Sequence, residues 1–246
     1  MFKFFRIVRY NLMNENKTGK YFKYAIGEIT LVVIGILIAL QINNWNDNRI
    51  AQISKTQYCK QLLEELELDA KGINSQIDKL SSAIKAYNAY DVIYESSNIP
   101  LDTIYSNMKK LPSIYDQTSF NTKTIDVLKS TGDIKLLPNE IQTLLVTLET
   151  LQGLYYKYND ANYGIYLSSV NETYLMNVLS IERKLTNQDS LAKALDFKNK
   201  LPEQLAKQHL AFNSKHFADI NASRSLNTIL KTVNELTILV EKELEN

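Results

Sequence analysis

The sequence predicts an all-α protein: a single N-terminal transmembrane helix followed by an extracytoplasmic bundle of long helices. Three observations predict it. The 246 residues include only 7 glycines and 4 prolines, too few for the turns of a β-sandwich or barrel. One apolar run, YAIGEITLVVIGILIALQI, covers Tyr24 to Ile42. Beyond it, apolar residues recur at steps of three and four, the period of a helix face, and no long stretch alternates with the period of a strand. Hydrophobic residues at 45% are ample for a core. The boundaries follow: a basic tail at 1–23, the span at 24–45 and a helical bundle at 46–246.

The span comes first. Its 19 residues from Tyr24 to Ile42 make roughly 28 Å of helix, close to the ~30 Å of a hydrocarbon core. Ten Ile, Leu or Val residues lie between Ile29 and Ile42 and contribute on the order of −5 kcal/mol to insertion. Glu28 opposes this, but it lies near the end of the helix, where its cost is smaller. A buried core helix is one competing reading, since the uninterrupted run is short. A cleaved signal peptide is another, but no A-x-A site follows Ala39 and the preceding segment is long for an n-region. A retained signal anchor fits best. The mean hydropathy of −0.23 hides this segment by averaging it with a polar remainder.

Charge sets the orientation. The chain is balanced overall, with 28 basic and 27 acidic residues, which excludes a globally basic nucleic-acid binder. The balance is uneven along the chain. Lys3, Arg6, Arg9, Lys17, Lys20 and Lys23 against Glu15 give the tail +5, while residues 46–246 carry −3. The positive-inside rule then places the N-terminus in the cytoplasm and the bundle outside. Tyr21, Phe22 and Tyr24 before the span and Trp45 after it suit the two aromatic belts. Phe2, Phe5, Val8 and Leu12 share one helical face flanked by Lys3, Arg6 and Arg9, which suits a helix lying on an anionic leaflet. A disordered basic tail is the other reading.

The stretch FKFFRIVRYNLMNENKTGKYFKYAIGEITLVVIGILIALQINNWNDNR resembles the N-terminal signature of a domain-of-unknown-function family of single-pass membrane proteins from Bacteroidota, especially flavobacteria. Its most telling parts are ENK at Glu15 to Lys17, GEI at Gly27 to Ile29, and VVIGILIALQINNWN from Val32 to Asn46. The remainder resembles the family more loosely, through a turn of the STGDIKLLPN type from Ser130 to Asn139 and an EKEL-like end. The resemblance implies a Gram-negative inner-membrane setting with a periplasmic domain. It implies no mechanism and no catalytic residues.

A plain anchor needs only apolar residues, and this one carries more. Gly35 and Ala39 form a small-xxx-small pair, and Gly27 lies two four-residue steps before Gly35. These positions fall near one face and allow close helix–helix approach. Glu28 sits at the edge of that face. The expectation is that the span packs against a copy of itself or another membrane protein, with Glu28 paired across the interface. The plainer reading has Glu28 snorkelling beside Lys20 and Lys23.

In the bundle, Cys59, Leu63, Leu66, Ala70, Ile73, Ile77, Leu80, Ile84 and Tyr87 follow alternating steps of four and three. Such a heptad seam builds either a dimerising coiled-coil stalk or one helix of an intramolecular bundle. Ser96 to Pro100 breaks it. A short helix over Leu101–Lys110 ends before Pro112. The next covers Asn121 to Ser130, with Gly132 as its C-cap. DIKLLPN is expected to be extended, and Pro138 signals a new start at Asn139. Ile141, Leu144, Leu148, Leu151, Tyr155, Tyr158 and Ile165 form a second seam, with interruptions at Gly153 or Gly164. Helical character continues from Asn171 to Leu185. A loop at Thr186–Asp189 leads to a short helix ending near Lys200, and one or two helices follow Pro202. Their last stripe is Leu226, Ile229, Val233, Leu236 and Val240.

The search for chemistry finds absences. There is no G-x-S-x-G, H-E-x-x-H, P-loop, G-x-G-x-x-G or C-x-x-C. His209 and His216 are seven apart, which is long for one metal ion, so no metal and no cofactor are expected. The single cysteine, Cys59, excludes an intramolecular disulfide and reads as a small buried hydrophobe; a disulfide between two copies is the alternative. Tyr155, Tyr156, Tyr158, Tyr163, Tyr166 and Tyr174 cluster, as a helix interface or as an aromatic ligand site. The expected function is a non-enzymatic envelope interaction or scaffold module, with the lipid bilayer and itself or another membrane protein as partners and no nucleic acid. A periplasmic ligand sensor is the second expectation. It would need a partner to carry the signal, because the tail is too short for an output domain.

Overall fold

The computed structural model describes residues 7, 10, 18–96, 98–114, 116–173 and 189–245. The tail helix expected from Phe2, Phe5, Val8 and Leu12 lies outside them, as do Tyr174 and the segment up to Leu185. Among the described residues every regular element is helical: α1 (Thr18–Tyr94), α2 (Leu101–Met108), α3 (Lys123–Thr131), a 3-10 turn (Asp133–Leu136), α4 (Asn139–Asn171), α5 (Asp189–Ala194) and α6 (Phe197–Leu244). The chain divides into two compact units, Met1–Gln57 and Tyr58–Asn246.

In the first unit, α1 is apolar on every side. Ile26, Ile29, Val33, Ile36, Leu37 and Leu40 are 47–65% exposed, and none of the most apolar stretch is buried. The helix is long and apolar enough to cross a membrane. Thr30 is accommodated because its hydroxyl donates to the Ile26 carbonyl at 2.9 Å. The polar residues that follow pair along the helix, Asn43 Nδ2 donating to Asp47 at 3.0 Å and Arg49 to Asn46 at 3.4 Å.

The second unit is built on three long helices, α1 from Tyr58 onward, α4 and α6, which share one hydrophobic core. On α1 the buried stripe is Cys59, Leu62, Leu66, Asp69, Ile73, Gln76, Leu80, Ala83, Tyr87 and Tyr90. Of the seam residues read from the sequence, Leu66, Ile73 and Leu80 lie at its centre, while Leu63, Ile77 and Ile84 are half-buried on its flank. A second buried line, which the seam does not include, passes through Leu62, Asp69, Gln76 and Ala83. The two polar residues occupy core positions because each has a partner there, as described below.

α4 departs from the expected seam in the same way. It buries Ile141, Leu145, Leu148, Gln152, Tyr155, Asn159, Tyr163 and Tyr166, while Tyr158 and Ile165 are 56% and 59% exposed. Gly153 and Gly164 do not interrupt it. Each costs about 1 kcal/mol of helix propensity, which the buried tyrosines around them offset.

Three further boundaries differ from expectation. DIKLLPN is not extended: Asp133–Leu136 forms a 3-10 turn, because Gly132 caps α3 in the left-handed conformation (φ 76°) and turns the chain back on itself. The Tyr58 hydroxyl holds that turn by donating to Asp133 at 2.8 Å. The short helix expected to end near Lys200 ends at Ala194, and Pro202 lies inside α6 rather than ahead of it. A proline so near a helix start removes one backbone bond, and Leu205, Ala211 and Phe212 bury the helix just after it. The stripe Leu226, Ile229, Val233, Leu236 and Val240 is fully buried, as its spacing requires.

Candidate functional site

Polar residues of α1 converge on one irregular strap, described at 109–114 and 116–122, and on the start of α3. Asp69 accepts from Asn121 twice, from the backbone N–H at 2.9 Å and the side-chain amide at 2.7 Å. Glu65 accepts from the Thr124 hydroxyl at 2.9 Å. Gln76 donates to the Asp116 carbonyl at 2.7 Å, and Lys79 meets the Asp116 carboxylate at 2.7 Å. From the other side, the Tyr166 hydroxyl donates to the Ser113 carbonyl at 2.9 Å and the Phe120 N–H donates to Tyr156 at 3.1 Å. Four backbone groups of the strap are thus met by side chains from two helices. Burial pushes the Asp69 carboxyl above its ordinary range, partly countered by Asn121.

Under the strap lies a cavity of 190 Å³. Its apolar wall is Leu80, Ala83, Pro112 and Ile114, and its polar wall is Gln76, Lys79, Asp116, Tyr163, Lys215 and Asp219. Lys215 and Asp219 lie one turn apart on α6 and form an ion pair at 2.8 Å, with side chains only 6% and 4% exposed. The Tyr163 hydroxyl of α4 also donates to Asp219. Two charges this far from water are held by pairing and hydrogen bonding together. A recess of 10 Å³, about the space of one water, shares Lys215 and Asp219 with the cavity and adds Tyr87, Phe212 and His216.

Next to the recess, α1 and α6 face each other through aromatic rings. His216 stacks on Tyr87 with centroids 4.3 Å apart, and His209 stacks on Tyr94 at 3.8 Å. Both pairs repeat at seven residues and run in opposite directions, so the two helices are antiparallel here. Between them the Tyr90 hydroxyl pairs with His209 Nδ1 at 3.0 Å. Burial lowers the pKa of both imidazoles. It pushes the Tyr87 phenol up to about 12 and the Tyr90 phenol higher still than ordinary. His209 and His216 are therefore a neutral clasp between two helices.

The other residues singled out in the sequence fall elsewhere. Gly27, Gly35 and Ala39 are exposed on α1, and Glu28 is half-buried there. A Cβ built on Gly27 or Gly35 would meet nothing within 4 Å. Cys59 is 1% exposed within the core, so a disulfide to a second copy would require it to leave that core. The tyrosines of α4 do not form one site. Tyr155 and Tyr156 meet Phe120, Tyr163 meets Asp219, Tyr166 meets Ser113 and Phe212, and Tyr158 is exposed. No group of three or more His, Cys, Asp or Glu able to hold a metal occurs among the described residues. Comparisons with protein-family models, curated proteins and solved structures return no match.

Lys215 and Asp219 are not among the residues singled out from the sequence. The signal was present. The stripe Val240, Leu236, Val233, Ile229 and Leu226, continued backwards at steps of three and four, reaches Ala222, Asp219, Lys215, Phe212 and Gln208.

Proposed function

We propose that this chain is a single-pass inner-membrane protein whose helical body stands on the periplasmic side and works by binding, as a non-enzymatic interaction or scaffold module of the envelope. One observation carries the reading. Residues 22–42 present aliphatic side chains on all sides of α1 with none of them buried, an arrangement stable in lipid and costly in water. The +5 charge ahead of the span supports the orientation, and the N-terminal resemblance to the Bacteroidota family supports the setting. Gly35 and Ala39 support contact with a second copy or another membrane protein, since nothing in the first unit uses the space beside Gly35.

A pair of C-terminal fusions tests the topology. Alkaline phosphatase attached after Asn246 is expected to be active and green fluorescent protein to be dark, and the reverse pattern would overturn the reading. Co-purification in mild detergent, followed by mass spectrometry, tests the role: a stable envelope partner or a homo-oligomer is expected. Gly35→Ile with Ala39→Ile should weaken that association, and unchanged recovery would remove the span from the interface. The second reading, a ligand sensor acting through a partner membrane protein, is favoured by the polar cavity under the strap.

A further inference from the structure

We infer that the cavity under the strap is a binding site for a small organic carboxylate with a short apolar body. The argument begins at Lys215. An ammonium has three N–H donors. Two go to Asp219, to Oδ1 at 3.1 Å and Oδ2 at 2.8 Å; the face of the Tyr163 ring lies 6.0 Å away, and no third oxygen or nitrogen acceptor for Lys215 occurs among the described residues. Its side chain is 6% exposed and lines the cavity. A buried donor left unmade is rarer and costlier than an unused acceptor lone pair, so the cavity calls for an acceptor.

An ionised acceptor fits better than a neutral one, because hydrogen bonds between charged partners are about twice as strong. Asp219 does not repel it strongly, being already matched by Lys215 and by the Tyr163 hydroxyl. A second cation is at hand to balance the added charge. Lys79 lines the same cavity, and its pair with Asp116 is 60% and 58% exposed, weak enough to be exchanged for a ligand. The rest of the lining includes the aliphatic Leu80, Ala83, Pro112 and Ile114, which suit an apolar body. Size sets the limit. A protein cavity of about 150 Å³ holds benzene, so one of 190 Å³ suits a ligand of roughly six to eight non-hydrogen atoms. Butyrate, with six, is a probe of this class.

The inference supplies a ligand class to the sensor reading but rests on the cavity alone, so the fusion experiment and the following one fail independently. Full-length protein in detergent is titrated by calorimetry with sodium butyrate, butyramide and butylammonium at equal ionic strength. Saturable butyrate binding is expected, with butyramide at least tenfold weaker and butylammonium silent. Lys215→Gln should abolish butyrate binding. Because that change also breaks a buried ion pair, Lys79→Glu, on an exposed side chain, carries the test separately and should weaken butyrate at least tenfold. No saturable butyrate heat, equal affinity for butyramide, preference for butylammonium, or unchanged affinity in Lys79→Glu would each overturn the site.

Discussion

Between Phe22 and Ile42, α1 sets isoleucine, leucine and valine on every side and buries none of them, whereas between Cys59 and Tyr90 it buries one stripe and places Asp69 and Gln76 within it. The two stretches belong to one element yet answer to different surroundings. In the first, no other described part of the chain packs against the side chains, and apolar residues stand on every side. In the second, the neighbours are α4, α6 and the strap, and a polar residue is tolerated wherever a neighbour completes its hydrogen bonds. Hydrophobicity alone describes the first stretch; the second requires partners distant in sequence.

The same substitution should therefore behave differently in the two regions. Leu148→Ala, on the buried face of α4, is expected to cost about 3–5 kcal/mol and to lower the melting point of the body by roughly 6–20 °C. Leu37→Ala, which is 58% exposed in the first unit, should leave that melting point within the error expected of a surface change, about 0.5 kcal/mol. Calorimetry in detergent measures both. Equal shifts would erase the distinction. The converse test is Ile36→Lys, which should disfavour membrane insertion by about 3–4 kcal/mol and release the protein in carbonate extraction while leaving the body folded by circular dichroism.

These differences mark what the sequence could reveal. The long apolar helix was legible because its length and apolarity depend on composition over one local window. Helix content, the break before Pro100, the Gly132 cap and the C-terminal stripe were legible for the same local reason. The phase of the α1 and α4 seams was not. At each divergence the apolar neighbour, Ile77 or Tyr158, was read as core, while the structure buries Gln76 or Asn159. The partner that explains Gln76, the Asp116 carbonyl, lies 40 positions away. The cavity was hidden likewise, since its walls come from α1, the strap, α4 and α6.

A smaller effect sharpens the point about partners. Asn121→Ala removes one of the two donors that hold Asp69 and leaves its carboxylate buried with the Asn121 backbone N–H alone, at a cost of about 1–2 kcal/mol. In an Asp69→Leu background the same change should cost little more, because the side-chain amide has already lost its acceptor, while the backbone N–H of residue 121 is left unmet with either residue there. Chemical denaturation of the single and double variants reads the coupling directly. Additive losses would mean that Asp69 is held by something other than the strap.

The smallest expected effect concerns the histidine clasp. Burial lowers the pKa of His209 and His216 in the folded body, against about 6.5 when unfolded, so protons bind the unfolded chain more readily. The contribution is complete above about pH 6.5 and is lost as the pH falls through the lower folded values. The charged neighbours modulate but do not reverse this. Asp91 favours the protonated form of both rings and Asp219 that of His216, while Lys215 opposes it at His216. Asp69 works with the opposite sign, its raised pKa making protonation favour the folded state, but it is the same in any histidine variant. Phenylalanine keeps an aromatic ring over Tyr87 and Tyr94 without a titrating nitrogen. The unfolding midpoint of the wild-type body should fall between pH 7 and pH 5, and His209→Phe with His216→Phe should flatten that part of the profile even though Tyr90 loses its partner. Parallel profiles would show that the imidazoles contribute as rings alone, making the antiparallel clasp a packing device with no acid sensitivity.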